Sequence, residues 1–433
     1  MRYPTPDEWT RFRAYARRMK RIYAPQNDWV PSDDILHSVN LDQSRQILMP
    51  RLQFLHWTTG RASLPWLHLL LSPNLSIINL DFTGGHPAHV NVAVIKAIHT
   101  TNLKRVTLST LRTNTQVDGA LFDLVLNSKQ LESIYIQQDS PTGDITQSSG
   151  EIKDKGRPVK LESLESIKVA FKSEPTFLPN LFNRTTFPNI HEIHIKHTGN
   201  SDWSGSDDLF AYVLRSAAPG ALHILRYTSN YSGIDITSAG IQSLQRFVAL
   251  RSLRVTSLCT AARCKFHLSD GDVATIATSM PNLVELHLGG PPCTSTVNVS
   301  IDGLAALAAN CTKLIELQIH FDTVRFINKA LEISGERAIL PPPRPTRNPC
   351  QLSLLMVGRM PLRSGVDGSW IVGISLLQIF PNLKTIRCHQ HIGLFNEWGD
   401  VMKAIKVQRN VVGLMTVRQE NLFSFLHLTL PLV

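Results

Sequence analysis

A six-residue pattern, L-x-x-L-x-L, recurs twelve times along this chain and leaves little choice of architecture. Residues 283–288 show it plainly: Leu283, Leu286 and Leu288 are its apolar positions, and Met280-Pro281-Asn282 leads into it. The first positions are Leu52, Leu75, Leu103, Leu131, Leu164, Ile190, Leu222, Leu250, Leu283, Leu314, Leu352 and Leu383, spaced 23 to 38 residues apart. One such hexamer says little, because apolar alternation is common. Twelve in order at this period mark stacked leucine-rich repeats, each a short strand plus a returning helix. The predicted class is therefore α/β, a leucine-rich-repeat solenoid with irregular repeats. Its parallel sheet would curve along the concave side, with helices on the convex side.

Between the hexamers the apolar period lengthens. Val90–Ile98, Leu121–Leu126, Asp208–Leu214, Ile241–Phe247, Asp272–Thr278 and Ile301–Ala308 read as amphipathic helices, and Trp370–Phe380 as a buried one. Pro-Asn pairs beginning at Pro73, Pro188, Pro281 and Pro381 end a helix before the next strand, because proline lacks the donor a helix interior needs. Two polar excursions, 137–160 and the proline-rich 341–349, read either as partner-binding loops or, in preference, as solvated loops on the repeat edges. Residues 49–395 are thus the solenoid, 1–48 a basic helix with a linker, and 396–433 a tail or cap.

The N-terminal segment is set apart by charge. Of a net +10, residues 1–25 carry seven cations (Arg2, Arg11, Arg13, Arg17, Arg18, Lys20, Arg21) against Asp7 and Glu8. Thr5-Pro6-Asp7-Glu8 spells a helix start with a capping box. Trp9, Phe12, Ala16, Met19 and Tyr23 then advance by three and four along one face. Such a helix either covers the open end of the stack with its aromatic side or binds RNA or phosphate with its arginines.

Chemistry is scarce. The chain has no glycine-rich phosphate loop, no G-x-S-x-G and no nucleophile constellation, so an enzyme is not expected and no cofactor is implied. Cys259 and Cys264, with His267 nearby, lack a second ligand pair at finger spacing, so no metal is expected. His191, His194 and His197, strung along one strand, do not converge on an ion and read as surface residues. The six cysteines are scattered singly, and the charged, aromatic start is unlike a signal peptide. Both point to reduced thiols in the cytosol or nucleus. No apolar run reaches the ~18 residues of a membrane span.

The strands do offer a recognition surface. Apolar residues of each hexamer point into the core, and those flanking the last one point along the inner wall. From the fifth repeat on, these positions hold Lys168, His194, Lys196, Arg226, Arg254, His287, His320, Arg387 and His389, without an acid among them. Glu192, Glu285 and Glu316 on the same strands balance part of that charge. The expectation is an electropositive arc for an acidic or phosphorylated protein partner.

The joins Leu268–Leu288 and Ile301–Ile319 resemble the repeats of F-box/leucine-rich-repeat proteins. The opening, Asp7–Ile22, resembles the segment that follows the F-box in a large fungal family of them. The resemblance implies a substrate receptor of an SCF-type cullin-RING ubiquitin ligase. No F-box is recognisable before Thr5, so a ligase adaptor would be engaged only if an F-box were supplied upstream. The buried asparagine usual after the strand is replaced by Thr83, Asp139, Thr198 and Pro291. The rival reading is an F-box-less scaffold holding nucleic acid through the basic helix.

Overall fold

The computed structural model describes residues 5–24, 47–58, 67, 69–82, 87–99, 101–112, 114–139, 158–172, 177–199, 206–230, 235–257, 265–289, 298–334, 349–357, 362, 365–388 and 398–410. The chain divides into two compact units, Met1–Ser232 and Gly233–Val433. Both are built of parallel strands joined through helices, the leucine-rich-repeat solenoid class of α/β fold.

In the first unit the neighbouring strands are β1 (Arg21–Ala24), β2 (Phe54–Thr58), β3 (Ile77–Asp81), β4 (Arg105–Arg112), β5 (Ser133–Asp139), β7 (Ser166–Phe171), β9 (Glu192–His197) and β10 (Ile224–Ser229). The short β6 (Val159–Lys160) and β8 (Thr185–Thr186) pair separately. Parallel neighbours cannot be joined by a tight turn, so each connection crosses back. Helices Ala88–Ile98, Thr115–Asn127, Phe177–Arg184 and Ser206–Ser216 lie on these returns. Each hexamer becomes a strand two residues after its first apolar position. Those first positions are at most 2% exposed throughout, because they turn under the sheet before the ladder begins.

At each entry one carbonyl holds two amides of the following strand. Glu132 O accepts from Glu165 N at 2.8 Å and Ser166 N at 3.1 Å, and Glu165 O accepts from His191 and Glu192 in the same way. The Pro-Asn asparagines act at the same place. Asn74 Nδ2 donates to Pro50 O at 2.8 Å and Asn189 Nδ2 to Glu162 O at 2.7 Å. Along the strands burial then alternates, one face closed and the other half-open, as on β5 and β10. Thr110, with φ at 57°, marks a register shift in β4, and its hydroxyl donates to Asp81 Oδ1 at 2.6 Å.

Two expectations change here, and one helix is added. The N-terminal helix forms with its capping box but ends at Ala16, so Tyr23 sits on β1 rather than on the helix face. The ladder to β2 wins: Arg21, Ile22, Tyr23 and Ala24 align with Phe54, Leu55, His56 and Trp57. Helix Phe177–Arg184, with Pro179 inside its first turn, lacks the longer apolar run that marked the others. His197 is buried rather than at the surface, because it shares the inward parity of Ile193 and Ile195. It stacks on Phe171 at 5.2 Å, and its Nε2 lies 3.3 Å from Lys172 O.

The second unit orders β12 (Ser252–Ser257), β14 (Glu285–Leu288), β15 (Glu316–Gln318), β16 (Leu354–Val357) and β17 (Thr385–Cys388), all parallel. A small pair, β11 (Asp235–Ile236) and β13 (Lys265–Phe266), lies apart from them. Its helices are Ser238–Ser243, Asp270–Ser279, Ile301–Asn310, Thr323–Ser334 and Gly365–Ile379, followed by a helix over 398–410. The asparagine contact recurs, Asn282 Nδ2 to Val248 O at 3.2 Å and Asn382 Nδ2 to Cys350 O at 2.9 Å.

Helix starts are tied from one repeat to the next. Asp270 Oδ1 accepts from Ser300 N at 2.6 Å and Gly303 N at 3.0 Å, and its Oδ2 accepts from Ser300 Oγ at 2.7 Å. Asp272 closes a capping box with Ser269 and also accepts from Ser238 Oγ at 2.9 Å. Lys329 reaches Asp302 in turn. Helix 398–410 buries Trp398 edge-on against Phe321, with Val401, Ala404 and Ile405. Its Arg409 donates to Pro381 O at 3.0 Å and Leu383 O at 2.5 Å. The tail thus starts as a packed helix; 411–433 lie outside the described residues, as do 140–157, 335–348 and Cys259–Cys264.

Candidate protein-binding surface

Register turns the repeat into rows. Parallel strands pair residue for residue about 4.8 Å apart, so equivalent positions line up across a sheet. In the first unit one open-face row reads Tyr23, His56, Asn79, Thr107, Tyr135, Lys168, His194, Arg226. Lys196 lies in the next row, between Ala170 and Thr228. Four of the expected residues, Lys168, His194, Lys196 and Arg226, are therefore brought together on three adjacent strands.

The charge there is not evenly spent. Lys168 Nζ sits 2.8 Å from Glu192 Oε2, a diagonal contact to the strand beyond. Lys196 is exposed, and Arg226 is the direct cross-strand partner of His194. The open-face positions of β7, β9 and β10 hold three cations (Lys168, Lys196, Arg226) and one carboxylate, Glu192. His194 is held below the ordinary imidazole range by burial and by Arg226, with Glu192 pulling the other way. Tyr135, next in the row, was not singled out from the sequence because it is neutral. Its hydroxyl donates to Gln137 Oε1 at 3.1 Å, and burial pushes its pKa up.

The second unit uses its cations differently. Arg254 donates from Nε to Glu285 Oε2 at 3.1 Å, and its Nη2 lies 3.0 Å from the same oxygen and 3.6 Å from Glu316. His287 repeats the diagonal, 3.5 Å from Glu316 Oε2. Glu285 and Glu316 are themselves register partners, and Arg254 and His287 are partners in the row two residues on, so each cation meets a carboxylate diagonally. His287 and His320 are 5% and 4% exposed; both lie in the interior rather than along an open wall. The cause is local: β14 and β15 are only four and three residues long. Gly289 then turns the chain at φ 107°, a left-handed conformation that suits glycine. The Gln318 side chain donates across to Gly289 O at 2.9 Å. Arg387 is exposed on β17 beside Met356, and His389 lies outside the described residues.

The continuous arc drawn from the sequence thus gives way to a basic cluster in the first unit and a charge-balanced face in the second. No group of three or more potential metal ligands occurs among the described residues. No helix among them is long and apolar enough to cross a membrane.

No family model matches the chain, and no curated protein matches it. Among solved structures it is similar to a chain in the crystal structure of the Rad7 and Elc1 complex in yeast. That similarity has 13% identity and a TM-score of 0.43, and it covers 84% of this chain and 83% of that one.

Proposed function

We propose that the chain is a non-catalytic protein-binding module, taking an acidic or phosphorylated segment on Lys168, Lys196 and Arg226. One observation carries the reading: three cations and a single carboxylate share the open-face positions of β7, β9 and β10. An extended acidic segment laid across those strands would meet a cation on each, and arginine offers paired donors to carboxylate or phosphate. The resemblance to F-box repeat proteins makes a ubiquitin-ligase substrate receptor the specific form of this role, acting in cytosol or nucleus. Adaptor recruitment then depends on an F-box supplied upstream.

The test is binding of the full chain to an array of phosphoserine and acidic peptides, each paired with a neutral counterpart. Lys196→Glu with Arg226→Glu should remove acid-selective binding, and Arg254→Gln should leave it in place. Selective binding that survives the double reversal would discard the cluster as the site.

A further inference from the structure

The segment 5–24 shows solvent the groups a covering helix would hide. Tyr15 is 70% exposed, Tyr23 68% and Phe12 38%, and of the predicted apolar face only Ala16 is buried. Arg11, Arg17, Arg18, Lys20 and Arg21 are exposed along the same segment. Of the two acids, Glu8 is turned back into its own capping box.

The arrangement on the sheet is specific. The Tyr23 ring lies on the His56 ring, centroids 4.4 Å apart and planes 17° from parallel. β1 pairs with β2 alone among the described strands. Tyr23 is thus stacked on one side and, at 68% exposure, open on the other. Arg21 starts the neighbouring row, which runs through Phe54 and Ile77 to the exposed Arg105.

We infer that this edge binds single-stranded nucleic acid. A base extends the Tyr23–His56 stack, while phosphates lie along Arg17, Arg18, Lys20 and Arg21. An open aromatic face beside a run of cations is the arrangement that holds single strands, because every base has a π-face and every linkage a charge. An acidic protein segment would use the cations and gain nothing from the parallel rings. A duplex keeps its base faces stacked inside. The inference is independent of the Lys168–Arg226 surface and uses none of its residues.

The experiment is fluorescence anisotropy of the full chain with 12-nucleotide oligouridylate and oligothymidylate at 50 to 200 mM salt. An unlabelled duplex of equal length and polyglutamate serve as competitors. Both single strands should bind within a few-fold of each other, since neither stacking nor phosphate contact reads the sugar. Affinity should fall steeply with salt. Tyr23→Ala should weaken binding about tenfold, while Tyr23→Phe retains it, the ring and not the hydroxyl being used. Arg17→Glu with Arg18→Glu should weaken it at least as much, with an unchanged circular dichroism spectrum. Absence of binding at 50 mM salt overturns the inference. So does binding indifferent to Tyr23→Ala, or competition by duplex or polyglutamate equal to that of the single strand; the polyglutamate result would assign the edge to an acidic protein.

Discussion

Asn382 donates its side-chain amide to the carbonyl of Cys350 at 2.9 Å, joining the entry of β17 to the turn before β16. The same contact is made by Asn74, Asn189 and Asn282, each to the corresponding turn one repeat earlier. Asn382→Ala should cost about 1 kcal/mol, the usual net worth of one hydrogen bond. Asn382→Asp should cost at least as much, because a carboxylate has nothing to donate to a carbonyl. Urea unfolding of both variants measures this; an aspartate variant as stable as the parent would show that the amide is not used.

Asp270 binds the next helix start through three hydrogen bonds, to Ser300 N, Ser300 Oγ and Gly303 N. Removing it strips two amides of their acceptor, so Asp270→Ala should lose roughly 1–2 kcal/mol. Gly303→Ala should lose stability as well, since an added Cβ would stand 2.7 Å from Asp270 Oδ1. In a double-mutant cycle the two losses should fall short of adding, because each breaks the same clamp.

Arg254 screens two carboxylates from each other, its Nη2 lying 3.0 Å from Glu285 and 3.6 Å from Glu316. Arg254→Ala leaves two carboxylates facing each other across β14 and β15, a destabilisation of about 0.5–1 kcal/mol that high salt should shrink. Adding Glu316→Gln should restore stability. Thermal unfolding of the three proteins at low and high salt decides it.

Two histidines of β9 should make the protein acid-sensitive. Burial holds His197 below the ordinary imidazole range against the opposing pull of the Lys172 carbonyl, and His194 is lowered by burial and Arg226. The unfolded chain takes up protons near pH 6.5, where the folded chain resists them. Their stability is therefore fully present above about pH 6.5 and is lost as pH falls toward the folded values. The urea midpoint should drop between pH 7 and 5, and less steeply in His197→Gln.

The thiols of Cys311 and Cys350 should be inert in the native state. Burial, with Cys350 adjoining, pushes Cys311 up to about 12, and burial raises Cys350 too. Since the thiolate is the reactive form, brief iodoacetamide treatment followed by peptide mass spectrometry should leave both unlabelled until urea is added. Labelling at the rate of the half-exposed Cys388 would contradict this.

The strands were legible because the hexamer fixes them: all twelve first apolar positions are core, and each strand follows two residues later. Helices with a sustained apolar stripe, such as Ile301–Asn310, were legible for the same reason. Phe177–Arg184 was not, since eight residues with an internal proline hold no periodic stripe. β1 was not, because Tyr23 continues the helical spacing of Trp9, Phe12, Ala16 and Met19 until the neighbouring strand decides otherwise. The binding face was only half legible. Parity placed Lys168, His194 and Arg226 on the open side, but parity says nothing of diagonal neighbours. Glu285 and Glu316 reached Arg254 from strands one and two repeats further along the chain, and short strands drew His287 and His320 inward.

The asparagine rungs have an evolutionary corollary. Each is made at a strand entry and touches only the repeat before it, so nothing ties its geometry to the length of chain looping between. Strand starts separated by 23 residues, at Asn74, and by 33, at Asn282, carry the same rung. Such a backbone can gain or shed whole excursions during descent without disturbing the frame, and new specificities can be grafted onto its returns while the scaffold stays as it was.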